Sequence, residues 1–400
     1  MSLSRTRRIQ LALDRCLERG DYAGYAAVVH HRGREELAFA GGTHKRGSIV
    51  RIASMTKPIM AAAAMTFVED GTFRVHDPIQ RWLPELADRR VLRDPLGSPD
   101  DTVPSPRAIT LHDLLSFQLG IGWGPSSVMP RAFALMTPPL ALDVGSPVHT
   151  DLPPDAWLAK LAEIPLAYAP GERWLYHVAS DLLGVLLARV AAQPLEAVLR
   201  ERIFEPLGMV DTFFSVPADK LARLAPLYAP ARAPATGLAV RDAAPDSKWA
   251  TPPNFPSGGG GLLSTVDDFQ RFARMLLGGG ALDGTRVLSR KSVEWMSTDH
   301  LSAAQHAHPG SGAIDRFDDD RSQMWANQGF GYGMAVRVRR AGLGPSAGTL
   351  TWPGAFGTFW FADPAEQLCA TFVPQVVGGN PYYTQHASDF TAAVYQAIAD

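Results

Sequence analysis

The alternation of apolar and polar positions predicts a helix and then a β-hairpin at the start of the chain. Apolar residues before Gly20 recur at helical spacing and would share one face of an amphipathic helix: Ile9, Leu13, Cys16 and Leu17. Two further runs, YAAVVHH and REELAFAGG, flank Arg32 and Gly33, which place a glycine in the turn. We expect these two runs to pair as antiparallel strands.

The segment from Met55 to Gly71 is almost wholly apolar and predicts a buried central helix. Its Pro58 falls in the first turn, where backbone N–H groups have no helical partner in any case. Consecutive alanines at 61–64 allow neighbouring elements to approach closely, and Gly71 is a suitable residue to follow the helix end.

A different composition begins at Asp77, where helical pieces alternate with proline-rich loops as far as about Leu207. This shift predicts an inserted, mostly helical region and not a linker between independent domains. A glycine loop, SGGGG, follows later in the chain. Ser264 or Thr265 is then placed to cap a helix that Gly278 would close.

Short strand-like runs dominate the carboxyl-terminal part: GYGMAVRVRRA, GTLTWPG, GTFWFADP and QLCATFVPQV. Turn residues separate them, which indicates an antiparallel sheet, and a last amphipathic helix carries Phe390, Val394 and Ile398 on one face. The predicted fold class is therefore α/β, of the α+β kind, with a central antiparallel sheet flanked by helices. Residues 1–76 and 208–400 would form the sheet domain, and residues 77–207 the inserted helical domain.

Composition narrows the choice of partners. The 400 residues carry a formal net charge of −2 and are 46% hydrophobic, which is typical of a globular protein and disfavours nucleic acid as a partner. Asp14 and Glu18 interrupt any apolar core of a signal peptide, and the longest apolar runs are shorter than the ~20 residues that span a bilayer. We expect a cytoplasmic protein without membrane contact, with Cys16 and Cys369 reduced and buried.

Ser54 and Lys57 lie three residues apart at the start of the predicted central helix, so they share one face. Burial among alanine and methionine side chains disfavours the ammonium form of a lysine, and a neutral amine can accept a serine proton. The helix N-terminus adds N–H donors where an oxyanion would form. The spacing alone is a weak signal, because S-x-x-K occurs by chance and such a lysine usually extends to solvent.

Three motifs and their flanking phrases make the signal specific. The chain contains SMTK at 54–57, YHV at 176–178 preceded by APGERW, and WPG at 352–354. Between the first and the last lie ITLHDLLSFQLG, IFEPLGMVDTFF and GGGGLLSTVDDFQRFARML. In this order, over nearly the entire chain, they resemble the serine hydrolases related to class C β-lactamases and penicillin-binding proteins, most of all the family VIII carboxylesterases. The resemblance implies a β-lactamase-like fold.

The resemblance also implies roles for individual residues. Ser54 would be the acylated nucleophile. Lys57 would keep the neighbouring hydrogen-bonded groups ready for proton transfer, and Tyr176 would take the serine proton and pass it to the leaving group. The backbone N–H groups of Ser54 and Ala355 would form the oxyanion hole, where one donor is typically worth about 3 kcal/mol. The sequence leaves open whether Lys57 or Tyr176 is the base, and no cofactor is implied.

Departures from the family pattern bear on the substrate. The penicillin-recognising enzymes usually have asparagine where this chain has Val178, and lysine or histidine where it has Trp352; Pro353 removes a further backbone donor. An uncharged ester with an apolar part is therefore favoured over a β-lactam. We predict Trp352, Gly354, Val178 and Trp123 as substrate-binding residues. Further aromatic residues are candidates for the same cleft: Trp325, Phe330, Tyr332 and Trp360.

Other motifs are weaker candidates for chemistry. GPSAG fits a nucleophile elbow centred on Ser346, but it lies between two strand-like runs, whereas an elbow needs a strand before it and a helix after it. The SGGGG loop lacks the ending of a phosphate loop and favours close backbone packing. His177 is interpreted as structural. No metal site is predicted from the two histidine pairs, which lack an H-E-x-x-H pattern: His306 with His308, and His30 with His31.

Three functions remain, in order of preference. The first is a carboxylesterase that cleaves short- to medium-chain esters through an acyl-enzyme on Ser54. The second uses the same machinery as a β-lactamase, a D-amino acid amidase or peptidase, or an acyltransferase. The third is a binding module that keeps the scaffold, and the cost of burying Lys57 argues against it. The expected partner is a small-molecule ester; the physiological substrate and the oligomeric state stay open.

Overall fold

The computed structural model describes residues 3–123, 134–136, 150–231, 237–307, 327–340, 342–378 and 385–398. The helices with described bounds are α1 (Leu3–Glu18), α2 (Thr56–Glu69), α3 (Leu111–Leu115), α4 (Pro154–Glu163), α5 (Val178–Ala191), α6 (Leu195–Leu199), α7 (Glu205–Leu207), α8 (Val266–Leu277), α9 (Arg290–Met296), α10 (Ala303–Ala307) and α11 (Gln385–Gln396).

The described strands are β1 (Gly24–His31), β2 (Arg34–Gly42), β3 (Val50–Arg51), β4 (Arg90–Leu92), β5 (Thr102–Pro104), β6 (Leu227–Pro230), β7 (Leu238–Asp242), β8 (Leu263–Ser264), β9 (Ala281–Leu282), β10 (Thr285–Arg286), β11 (Gln328–Phe330), β12 (Ala335–Arg337), β13 (Leu350–Thr351), β14 (Phe359–Asp363) and β15 (Leu368–Phe372).

Seven of the described strands form one sheet in the order β11-β12-β13-β14-β15-β1-β2, and every neighbouring pair is antiparallel. The sheet joins both ends of the chain, because β15 pairs with β1 in a register that sets Cys369 opposite His30. The β1–β2 hairpin turns through Arg32 and Gly33, whose φ angles are both positive, as a type I′ turn requires. The predicted sheet and fold class are confirmed.

The sheet carries hydrophobic side chains on both faces. Along β1, Ala26 and Val28 face the large core around α2, whereas Ala27 and Val29 face a smaller core beneath α1 and α11. Helix α8 covers the first face, and its Phe269 ring lies 5.6 Å from that of Trp360. The molecule is therefore layered, with helices on either side of the sheet. Trp360 is fully buried between α8 and the sheet, so its assignment to the substrate cleft is wrong.

The predicted faces of the terminal helices agree with the structure. In α1, Ile9, Leu13 and Cys16 are fully buried, and α11 buries Phe390 and Val394 in the same core, while Ile398 lies just beyond the end of α11. Both cysteines are buried and free, as predicted. Helix α8 also begins as predicted, because the Thr265 side chain accepts the backbone N–H of Asp268 at 3.2 Å.

Helix α2 is buried around nearly its whole circumference, which confirms the predicted central helix. A 3₁₀ turn, Ala53–Met55, precedes it, and Gly71 follows its last turn with a φ of 80°. The helix packs against α5 and against the π-helical turn Arg200–Phe204. Its first turn therefore holds Lys57 in a wholly enclosed position.

Between residues 77 and 207 the described elements are α3 to α7, short turns and the strand pair β4–β5. The division of the chain into a sheet domain and an inserted domain stays a prediction. In the ranges that the structure describes, no single helix is long and apolar enough to cross a bilayer; α5 with Leu195–Leu207 reaches the required length and composition only as a pair bent by 84°.

Candidate active site

Ser54 occupies the 3₁₀ turn at the entrance to α2, directly after strand β3. Strand β3 pairs with β8, and Ile52 donates its backbone N–H to the carbonyl of Leu262 at 3.1 Å. Ala53 has a φ of 46°, a backbone conformation that persists in a non-glycine residue only where surrounding structure holds it. Ser54 itself is 8% exposed. The strand pairing and the conformation of Ala53 therefore hold the backbone that carries the Ser54 hydroxyl.

The Lys57 amine is buried against three partners. Its Nζ lies 3.1 Å from Ser54 Oγ and 3.2 Å from His177 Nδ1, and it donates a hydrogen bond to the carbonyl of Gly259. Burial lowers the pKa of Lys57 to about 7, although the carboxylate of Asp181 acts in the opposite direction. Near neutral pH a large fraction of Lys57 is therefore an uncharged amine beside the serine hydroxyl.

Tyr176 approaches Ser54 from the loop that precedes α5. The Tyr176 hydroxyl lies 2.7 Å from Ser54 Oγ, and the indole N–H of Trp352 donates to the same hydroxyl at 3.2 Å. The backbones of Tyr176 and Trp123 exchange two hydrogen bonds, which hold the loop in place. The structure thus brings together Ser54, Lys57 and Tyr176, with Trp352 beside them.

Aromatic rings surround Tyr176 and form the apolar wall of the site, which we call the aromatic wall. Its members contact one another at centroid distances between 4.7 and 6.3 Å: Phe117, Trp174, Tyr176, Phe330 and Trp352. Phe330 was predicted beside the cleft and belongs to this wall. Tyr332 instead donates to or accepts from His112 at 2.9 Å and accepts from Trp295 at 3.0 Å, so it is held by another cluster.

Helix α5 begins at Val178, and no side chain caps its first turn. His177 precedes the helix with φ 81° and ψ −63°, and the N–H of Val178 bonds to the carbonyl of Tyr176 at 3.2 Å. These are the features of a γ-turn, which is rare and strained. The turn directs the Tyr176 and His177 side chains to the same amine of Lys57.

Asp181 is the inner end of this polar network. Its Oδ2 lies 3.2 Å from His177 Nε2, and its Oδ1 accepts the hydroxyl of Ser257 at 2.6 Å and the N–H of Gly259 at 2.8 Å. Burial raises the pKa of Asp181, but interactions with His177, Ser257 and Gly259 outweigh it and lower that pKa overall. The carboxyl group is therefore an anion in a nearly water-free position.

Sequence reasoning did not connect His177 and Asp181 to the Lys57 amine. The signal available was their spacing of four residues at a helix start, immediately after the predicted catalytic tyrosine. The His177 ring also stacks on Trp123, with centroids 4.7 Å apart and planes inclined by 8°. Trp123 therefore supports the polar network from the side of the cleft.

Two glycines allow neighbouring segments to pack closely around the site. A Cβ at Gly259 would lie 2.9 Å from the His177 ring, and one at Gly354 would overlap the carbonyl of Ile52 and the hydroxyl of Thr358. The loop that carries Trp352 and Ala355 therefore packs directly against the backbone that leads to Ser54. This placement is compatible with an oxyanion hole of the Ser54 and Ala355 N–H groups, which stays a prediction.

The other predicted substrate-binding residues vary in exposure. Trp123 is half-buried and Gly354 buried, whereas Trp352 is 4% and Val178 1% exposed, with Val178 part of the core. Their contact with a substrate stays a prediction. Ala355, predicted for the oxyanion hole, is exposed. Trp325 and His308 lie outside the described residues.

The alternative motifs lie elsewhere. Ser346 sits in the connection between the antiparallel strands β12 and β13, and its N–H donates to Asp363 at 2.9 Å, so GPSAG is a hairpin connection as predicted. His30 bonds to Gln270 and His306 to Asp299. In the described part of the chain no group of three or more His, Cys, Asp or Glu side chains is arranged to hold a metal ion.

A serine hydroxyl in contact with a buried amine and a phenol, beside an antiparallel sheet flanked by helices, defines a serine hydrolase of the β-lactamase fold. Residues 9–389 match the Beta-lactamase family, and the chain belongs to that family. The resemblance drawn from the three motifs is therefore confirmed at the level of the family.

Known proteins similar to this chain cover nearly its whole length. Protein Rv1367c of Mycobacterium tuberculosis is 40% identical over 365 residues, covering 90% of this chain and 83% of that protein. Esterase EstB of Burkholderia gladioli is 31% identical over 418 residues, covering 98% of this chain and 94% of EstB. The structure of EstCE1 superposes with a TM-score of 0.76 at 23% identity, over 98% of both chains, which shows a shared fold.

Proposed function

We propose that this protein is a serine carboxylesterase that cleaves short- to medium-chain esters with Ser54, Lys57 and Tyr176 as its catalytic triad. The observation that carries the proposal is Trp352. It stands where penicillin-recognising relatives hold a cation, and it gives its N–H to the Tyr176 hydroxyl at 3.2 Å. The similarity to esterase EstB supports the same activity.

Acylation would proceed through the contacts around Ser54. The hydroxyl gives its proton to the Lys57–Tyr176 network as Oγ forms a bond to the ester carbonyl carbon. The oxyanion of the tetrahedral intermediate would accept hydrogen bonds from the backbone N–H groups of Ser54 and Ala355. When this intermediate collapses, the bond between the acyl carbon and the alcohol oxygen breaks, and the alcohol leaves with the proton. A water molecule, deprotonated by the same network, then attacks the acyl carbon, and Ser54 Oγ departs with the returned proton.

The aromatic wall favours an uncharged substrate. Trp352 and its neighbours offer apolar surface next to the nucleophile, and apolar surface attracts an alkyl or aryl group but gives no compensation to a buried carboxylate. A β-lactam carries such a carboxylate. The ester of a short or medium acyl chain therefore fits this side of the site better than a penicillin.

Acyl transfer is the second candidate. The structural neighbour EstCE1 is described as a hydrolase with promiscuous acyltransferase activity. An acyl-enzyme on Ser54 next to the aromatic wall would bind an apolar alcohol in competition with water. Adding such an alcohol to the reaction and measuring the new ester distinguishes transfer from hydrolysis.

A panel of three substrates tests the proposal. We expect p-nitrophenyl butyrate to be turned over faster than nitrocefin or a D-alanyl amide, and we expect this activity to vanish in Ser54→Ala. Ser346→Ala is the matched control, because Ser346 lies outside the site, and it should keep near wild-type activity. Faster nitrocefin turnover would favour a β-lactamase, and three inactive substrates would contradict the esterase.

A further inference from the structure

The hydrogen-bond capacity of Lys57 constrains its chemistry. A neutral amine has two N–H groups and one lone pair, whereas an ammonium group has three N–H groups and no lone pair. The Lys57 Nζ faces His177 Nδ1, the Gly259 carbonyl oxygen and Ser54 Oγ. The Gly259 oxygen is an acceptor only, so it takes one N–H. Whether His177 Nδ1 carries a hydrogen decides whether Lys57 turns an N–H group or its lone pair towards Ser54.

Asp181 sets the tautomer of His177. Its Oδ2 is a carboxylate oxygen 3.2 Å from His177 Nε2, and the negative charge favours the tautomer that carries the ring hydrogen on Nε2. The other ring nitrogen, Nδ1, then has a lone pair and accepts from Lys57. The two hydrogens of the neutral amine are consumed by Gly259 and His177.

We infer that His177, fixed in one tautomer by Asp181, is a positioning residue that aims the Lys57 lone pair at the Ser54 hydroxyl. Lys57 is then the base that takes the serine proton. In the resting site Tyr176 donates a hydrogen bond to Ser54 Oγ at 2.7 Å and accepts one from Trp352. Tyr176 is then the acid that gives its proton to the leaving alcohol oxygen, and the proton that Lys57 took from Ser54 returns to the Tyr176 oxygen, so both groups end acylation neutral. This inference deepens the proposed function and rests on it.

The assignment of Lys57 as the base takes into account each titratable group that the described structure places near its amine. Tyr176 and His177 face the amine from the γ-turn, Asp181 acts on it from α5, and the glycine loop contributes only the Gly259 carbonyl. The lowered pKa of Lys57 is consistent with a neutral amine at physiological pH.

Two substitutions at His177 separate the acceptor from the ring. His177→Asn keeps an acceptor oxygen close to the position of Nδ1, and asparagine tolerates a positive φ. His177→Phe keeps an aromatic ring against Trp123 but offers no acceptor. We expect His177→Phe to lower kcat on p-nitrophenyl butyrate about 100-fold with KM within about twofold, and His177→Asn to retain kcat within about tenfold.

Asp181→Asn tests the tautomer itself. If the amide oxygen keeps the bonds to Ser257 and Gly259, the amide NH₂ faces His177 Nε2, so the ring hydrogen moves to Nδ1 and competes for the Lys57 lone pair. We expect kcat to fall about 100-fold. Removal of the carboxylate charge also lowers the pKa of Lys57, so the acid limb of the pH profile should move to lower pH.

The measurements are kcat, KM, melting temperature and the rate at which a fluorophosphonate labels Ser54, each from about pH 5 to about pH 10. Labelling needs no ester, so it decides this inference even if wild type turns over no ester and the proposed function fails. Equal kcat in His177→Asn and His177→Phe would overturn the inference, as would Asp181→Asn with a wild-type rate and an unmoved acid limb. If His177→Phe does not fold, Asp181→Asn alone decides.

Discussion

Lys57 is the residue whose protonation state controls the site. Its amine is 1% exposed, and burial lowers its pKa from 10.5 to about 7. Because only the neutral amine has a lone pair for the Ser54 proton, the fraction of competent enzyme rises with pH through that value. The sequence predicted a lysine poised near neutrality from its apolar surroundings alone, but not the three partners that hold it.

The first prediction concerns pH. We expect kcat/KM for p-nitrophenyl butyrate to fall about tenfold for each pH unit below about 6, with a midpoint near the pKa of Lys57, because protonation removes the base. A pH series on the wild-type enzyme measures this limb. A midpoint near 10, the range of an exposed lysine, would contradict a buried and neutral Lys57.

The second prediction concerns Trp352. Trp352→Phe keeps an aromatic ring in the wall but removes the N–H that donates to Tyr176 at 3.2 Å. We expect kcat to fall about tenfold while KM changes little, because that N–H orients the hydroxyl next to Ser54. Trp174→Phe is the control, since Trp174 belongs to the same wall and its ring lies 5.8 Å from that of Tyr176. Equal effects of the two substitutions would assign Trp352 to packing alone.

At the scale of elements, the sequence predicted a turn or a helix start correctly where the contacts that form it join residues close in sequence. Thr265 caps α8, and Arg32 with Gly33 turns the first hairpin, because both features depend on residues within one turn of each other. The start of α5 was not predictable in the same way. His177 adopts a strained γ-turn, and its ring contacts Lys57 and Trp123, which are distant from it in the sequence.

The third prediction tests the contact between two loops. Gly354→Ala would place a Cβ against the carbonyl of Ile52, two residues before the nucleophile, and so displace Ser54. We expect kcat to fall about 100-fold, because a shift of about 1 Å at a reacting group has this effect. Gly47→Ala is the control, since its Cβ would meet only the Arg223 side chain, at 3.6 Å. Unchanged kcat in Gly354→Ala would show that the two loops move independently.

For the whole molecule, the sheet order explains why the site depends on both ends of the chain. Strands β1 and β15 are neighbours, and the loop of Trp352 leaves β13 to pack against the turn that follows β3. The composition of the strand-like runs predicted an antiparallel sheet. It could not predict the order of the strands, because that order depends on contacts between residues hundreds of positions apart. The family motifs supplied that long-range information.

The fourth prediction concerns stability. At low pH the buried Lys57 is charged in both states and costs the folded state its full desolvation penalty; this cost declines as pH rises from about 7 towards 10.5, where the unfolded lysine also loses its proton. We therefore expect Lys57→Met to raise the free energy of unfolding by about 1–3 kcal/mol at neutral pH and to abolish turnover.

Urea denaturation at several pH values measures this difference. The gain of Lys57→Met over wild type should be largest below pH 7 and should shrink above it. Lys291→Met is the control, because its lysine side chain is 77% exposed, and it should change stability by less than about 0.5 kcal/mol. A destabilised Lys57→Met would show that the hydrogen bonds of the amine outweigh the cost of its burial.

The covalent intermediate offers the most direct test of the central claim that Ser54 is acylated. The protein is mixed with p-nitrophenyl butyrate, quenched in acid at short times and analysed by intact mass and peptide mapping. We predict a single butyryl group on the peptide that contains Ser54, absent in Ser54→Ala and present in Ser346→Ala. Butyryl transfer to another residue, or ester turnover that persists in Ser54→Ala, would contradict the account.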